Sequence, residues 1–118
     1  MAEAYSSRGV ARSSLGDKGA IADSNLAVQL SPKNAEIYYD RAMTKFNLGD
    51  KQNAIADYNQ AIQLNPKFAQ AYYDRGITRA GLGDKQAAIR DLNKAAELAR
   101  QQGKMDLVRR AMRKLSNK

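Results

Sequence analysis

At 118 residues the chain has room for one domain and one site at most. It is 43% hydrophobic and 27% charged, an ordinary composition for a soluble chain, and no apolar run approaches the roughly 18 to 20 residues that a bilayer-spanning helix needs. Zero cysteines and zero histidines exclude disulfides, thiolate nucleophiles and zinc–thiolate sites, and remove the commonest general base and metal ligand.

The net charge of +8 is uneven, because residues 100–118 hold 7 basic side chains and one acidic one. At the other end, Met1-Ala2-Glu3-Ala4-Tyr5 places no apolar stretch behind a basic one. No secretory signal is expected there, and the cytoplasm is the expected compartment.

In chain order, the apolar spacing predicts helices over about residues 2–15 and 18–30, joined by the turn Leu15-Gly16-Asp17-Lys18. Helices over about 35–48 and 51–64 follow Pro32 and are joined by Leu48-Gly49-Asp50-Lys51. Ala54, Ile55, Tyr58, Ala61 and Ile62 recur at three- and four-residue steps, as one buried helix face requires. After Pro66 come helices over about 69–82 and 85–101, joined by Leu82-Gly83-Asp84-Lys85. In each turn the Gly supplies the left-handed residue that closes one helix and the Asp caps the next. A seventh helix is predicted over about 104–115, where Met105, Val108, Ala111, Met112 and Leu115 form one apolar stripe among basic residues.

These elements repeat. Tyr38-Tyr39-Asp40-Arg41 returns as Tyr72-Tyr73-Asp74-Arg75, and Asn53-Ala54-Ile55-Ala56-Asp57-Tyr58 as Ala87-Ala88-Ile89-Arg90-Asp91-Leu92, both 34 residues later. Pro32 and Pro66 share that offset. An earlier copy contains Tyr5, Arg8, Ala20-Ile21-Ala22-Asp23 and Pro32, with one residue lost around Gly19. Helix pairs repeated at this interval stack side by side, because a single pair cannot bury its apolar face.

Over about residues 2–100 the sequence resembles the tetratricopeptide-repeat family. Unit two supplies that family's positions with Tyr38, Ala42, Ala54, Tyr58, Ala61 and Pro66, and unit three with Tyr72, Gly76, Ala88, Leu92 and Ala95. Unit one has Ser24 where Tyr58 stands, unit three has Arg100 in place of the proline, and Arg8, Arg41 and Arg75 replace a usual leucine. The Tyr-Tyr-Asp-Arg and Gly-Asp-Lys-Gln wording is similar to arrays common in cyanobacterial proteins. The resemblance implies an all-α, right-handed α-solenoid of seven helices forming a single domain over 1–118. Its repeats would span about 2–34, 35–68 and 69–102, with a capping helix over about 104–115.

The resemblance also implies a concave groove lined by the first helix of each pair. Its residues would be Glu36, Tyr39, Asp40, Met43, Phe46 and Asn47 from unit two, and Gln70, Tyr73, Asp74, Ile77 and Ala80 from unit three. Unit one would add Glu3, Ser6, Ser7, Val10 and Ser13. Such a surface, aromatic and apolar at its middle and acidic through Glu3, Glu36, Asp40 and Asp74, suits a basic or apolar-aromatic peptide. Tyr39 and Tyr73 are the expected exposed anchors, whose joint replacement by alanine would abolish binding and spare the fold. The plainer alternative is that both pack against neighbouring helices. Some family members grip a terminal carboxylate with Lys, Asn and Arg; the matching positions here are Ser6, Val10, Asp40, Gln70 and Asp74, none cationic, so no such clamp is expected.

The expected function is therefore a non-catalytic adaptor or scaffold that binds a protein or peptide, with no cofactor, no metal and no catalytic residue. A self-associating scaffold, joined through the groove or the open repeat ends, is the main rival. Nucleic acid or an anionic surface could engage the basic final helix or a ridge of Arg8, Arg12, Arg41, Lys45, Arg75 and Arg79, although that ridge should face helix packing. Gly81-Leu82-Gly83 ends a helix and follows no strand, so it is not a phosphate cradle. Asp17, Asp50 and Asp84 fall one per repeat, separated by two helix packings of about 9 Å each, too far to share an ion.

Overall fold

The computed structural model describes residues 1–116, which form seven α-helices and no strand. They are α1 (Ala2–Ser14), α2 (Ala20–Leu30), α3 (Ala35–Asn47), α4 (Lys51–Leu64), α5 (Ala69–Gly81), α6 (Lys85–Gln101) and α7 (Met105–Ser116). Two compact units result: Met1–Asn65 holds α1 to α4, and the second, from Pro66 onward, holds α5 to α7.

Local chemistry sets the ends of these helices. Gly49 and Gly83 take φ of 90° and 88°, a left-handed conformation that costs other residues strain, and so close α3 and α5. The following Asp50 and Asp84 accept the backbone N–H of Asn53 and Ala87, capping α4 and α6. Asp17 breaks this pattern. It accepts the N–H of Gly19, and α2 starts only at Ala20, two residues later than its apolar spacing predicts. The missing residue of the first repeat has thus shortened the start of this helix to leave 11 residues in α2 against 14 in α4. Ahead of Pro32 and Pro66, α2 and α4 stop at Leu30 and Leu64, whereas α6 runs through Arg100 for 17 residues.

In the first unit, Ala42, Ala54 and Tyr58 form a core between α3 and α4, with Tyr39 and Phe46 against it. Ala2, Ala27 and Ile37 form a second between α1, α2 and α3. Where Tyr58 stands in α4, Ser24 stands in α2, and its hydroxyl donates to Thr44 Oγ1 at 3.0 Å. A smaller side chain is required there, because a Cβ at Gly9 would already lie 2.7 Å from Ser24 Oγ. The second unit has one continuous core, in which Leu92, Ala95, Ala96, Leu98 and Ala99 of α6 pack with Leu107, Val108 and Ala111 of α7. Here the close approach of α5 to α6 depends on Gly76, whose added Cβ would lie 3.2 Å from Ala88 O and from Leu92 Cγ.

Candidate functional site

Within each helix pair, two cations of the first helix converge on one carboxylate of the second. Arg8 makes a two-pronged contact with Asp23 at 2.8 and 2.9 Å, and Arg12 adds a third bond at 3.0 Å. Arg41 and Lys45 hold Asp57 in the same way, and Arg75 and Arg79 hold Asp91. The three carboxylates are buried, at 5%, 4% and 4% exposure, a state that costs heavily unless the charge is paired and hydrogen-bonded. The fork of Arg8 holds the Asp23 carboxyl below the usual carboxylate range, and the Asp57 bond raises the Arg41 guanidinium above its ordinary value. The six cations of the ridge are therefore internal counter-ions. Each carboxylate is shared by two cations and so offsets one of their two charges.

A different face joins α1 to α3. Ser6 Oγ donates to Asp40 Oδ2 at 2.6 Å, and Asn47 Nδ2 donates to Ser13 Oγ at 3.0 Å. Glu36 lies one turn before Asp40, and neither carboxylate has an ion pair among the described residues. Burial pushes the Asp40 carboxyl above its ordinary value and the charge on Glu36 adds to this, while the Ser6 bond opposes it. Beside them Met43, Phe46 and Tyr39 are half-buried. The Tyr39 ring leans toward α4, 5.8 Å from Tyr58 and tilted by 54°. Glu36 and Asn47 are exposed, as are Glu3 and Ser7, whereas Ser6 and Ser13 are buried and Val10 is half-buried.

The equivalent α5 residues have another environment. Tyr73 is only 8% exposed and belongs to the core with Leu107, Val108 and Ala111 of α7. Arg110 of α7 sits 5.5 Å from its ring centroid and also donates to Gln70 Oε1 at 3.5 Å. Gln70 in turn donates to Asp74, and Ile77 packs against the same core. Tyr73 is thus not the exposed anchor that its register predicts. The apolar stripe of α7 has to be buried somewhere, and it settles on α6 and on this ring of α5. Burial accordingly raises the Tyr73 phenol above its usual value. Replacing it with alanine disturbs the core, so the double replacement of Tyr39 and Tyr73 does not spare the fold.

The remaining acids are engaged locally: Asp50 and Asp84 cap helices, and Asp17 pairs with Arg12 at 3.2 Å. Among the described residues no group of three His, Cys, Asp or Glu could hold a metal ion, and no helix is long and apolar enough to cross a membrane. The clamp positions of the first unit are serine, valine and aspartate, with Asp40 already bound by Ser6. Sequence reasoning missed Asp23, Asp57 and Asp91 as partners of the ridge. The signal was present, because each carboxylate follows its arginine by 15 or 16 residues.

Two family models, both described as tetratricopeptide repeat, match residues 35–68 and 58–113. Among solved structures, the chain is similar to the second TPR of Spaghetti (RPAP3) bound to the HSP90 peptide SRMEEVD, with 26% identity and a TM-score of 0.74 over 82% of this chain and 91% of that one. It is similar to MamA at 25% identity and a TM-score of 0.71, covering 96% and 75% of the two chains. The TPR2B domain of yeast Sti1 in its pHsp70 complex has the same fold, with a TM-score of 0.86 at 23% identity over 95% and 90% of the chains. The sequence has no match among curated proteins.

Proposed function

We propose, from the premise that the chain belongs to the tetratricopeptide-repeat family and is a protein-interaction module of all-α solenoid fold, that it binds without catalysis a basic segment carrying apolar or aromatic side chains. The receiving surface is the α1–α3 face of the first unit. Glu36 and Asp40 supply the charge, and Tyr39, Met43 and Phe46 supply apolar area beside it. Asn47 and Ser13 hold the same face together by their mutual hydrogen bond.

One observation carries this reading: a carboxylate kept half-buried, next to a second carboxylate, and hydrogen-bonded by the neutral hydroxyl of Ser6. Such a charge is poorly solvated and uncompensated, so a lysine or arginine arriving from a partner gains more from it than from water. An acidic ligand meets repulsion at the same place. The HSP90 peptide held by the Spaghetti TPR contains two glutamates and an aspartate, and that chemistry is the opposite of what Glu36 and Asp40 attract.

Selection from a displayed library of random peptides tests the reading. Binders rich in Lys or Arg beside aromatic or aliphatic residues are expected, and Glu36→Gln with Asp40→Asn should weaken them at least about tenfold, as loss of charge partners at an interface does. Asparagine keeps the acceptor for Ser6, so the fold is preserved. Basic binders whose affinity ignores this double replacement would remove the proposal.

A further inference from the structure

The second unit contains an apolar pocket of about 460 Å³ between the end of α5, the first turns of α6 and the end of α7. Ala80, Ala88, Ile89, Leu92 and Leu115 line it. Its charged lining residues are both cationic, Lys85 from α6 and Lys114 from α7. Neither lysine is ion-paired among the described residues.

The nearby acids do not neutralise these lysines. Asp84 is occupied with capping α6, and Asp91 is enclosed by Arg75 and Arg79. Repeat register adds a second observation. Ile21 and Ile55, the counterparts of Ile89, are half-buried, yet Ile89 is 49% exposed. Large aliphatic groups beside a concave apolar space lose favourable burial unless something fills it. The volume lies within the roughly 300–1,000 Å³ of specific ligand sites.

We propose that this pocket receives an acidic segment of a protein partner, which inserts an aliphatic side chain against Ile89, Leu92 and Leu115 while its carboxylates meet Lys85 and Lys114. Charge complementarity selects the occupant, since residues 100–118 carry 7 basic side chains against one acidic. The preference is opposite to that of the α1–α3 face. The two sites are therefore separable by charge alone.

Fluorescence anisotropy with a labelled Glu/Leu amphipathic peptide and its Lys/Leu counterpart tests the assignment. The acidic peptide should bind in a salt-sensitive manner, and Lys85→Glu with Lys114→Glu, both exposed positions, should weaken it at least about tenfold. Ile89→Asp should do the same with unchanged circular dichroism. Binding should survive Glu36→Gln with Asp40→Asn; loss there would place the peptide on the first unit and overturn the assignment. It is equally overturned if both peptides bind alike, if dodecanoate fills the pocket and the acidic peptide does not bind, or if light scattering shows a dimer that Ile89→Asp dissociates.

Discussion

Tyr39 and Tyr73 occupy one register of the repeat, each inside Tyr-Tyr-Asp-Arg, yet the first remains half-open on α3 and the second is enclosed on α5. The difference comes from α7, which lays Leu107, Val108 and Ala111 against α6 and sets Arg110 over Tyr73. The same sequence word thus stays half-open in one unit and joins the core in the other. What decides between them is the neighbour, a property that the word itself does not contain.

The sharpest way to break this comparison is through the buried carboxylates. Asp91→Ala removes the buried carboxylate shared by Arg75 and Arg79, whose side chains are only 15% and 24% exposed, and should cost about 3–4 kcal/mol in urea unfolding. Asp23→Ala leaves Arg8 and Arg12 at 57% and 42% exposed, where water replaces the partner, so about 1 kcal/mol is expected. Equal losses at both positions would show that the two units hold their ion pairs alike.

Next in size are the tyrosines. Tyr73→Ala should cost about 3 kcal/mol, because a ring is removed from a closed core, and Tyr39→Ala about 1 kcal/mol, since its ring is half-solvated already. Thermal melts of the two variants would separate them clearly. Melting temperatures lowered by the same amount would mean that α7 does not cover Tyr73.

The smallest effect is one of pH. Asp40 is raised in the folded state, so the native chain binds more protons than the unfolded chain between the unfolded value and the raised one; stability falls as pH climbs through that window. Asp40→Asn should therefore be more stable than the parent at neutral pH and lose this advantage on acidification. Asp23 behaves in the opposite sense: its depressed value adds stability that is present above the unfolded carboxylate range and disappears as pH falls through the folded one. Unfolding free energies of Asp40→Asn and Asp23→Asn measured from acid to neutral pH would show whether the two carboxylates diverge in this way.

The 34-residue period, the capping aspartates and the two prolines made six helices legible from the sequence, and the amphipathic stripe after Gly103 made the seventh so. These are local signals, fixed by backbone sterics and by a helix face that must find cover. The start of α2 was less legible, since Asp17 resembles Asp50 and Asp84 but accepts the Gly19 N–H after a deletion. The enclosure of Tyr73 was not legible. Where α7 comes to rest depends on the facing surfaces of α5 and α6 together, and no repeat-to-repeat comparison encodes a helix that has no counterpart. The Arg–Asp contacts lay between: their spacing was readable, but substitution of arginine for a usual leucine drew attention to the cation and away from the acid sixteen positions on.

Those contacts carry one more consequence. Every helix pair brings both the anion it hides and the cations that hold it, so the stretch of coding sequence that specifies a pair supplies the buried carboxylate with its own counter-ions. Copying or deleting that stretch changes the length of an array without stranding a charge in its interior. Lineages could lengthen or shorten such proteins by whole units without a compensating substitution elsewhere.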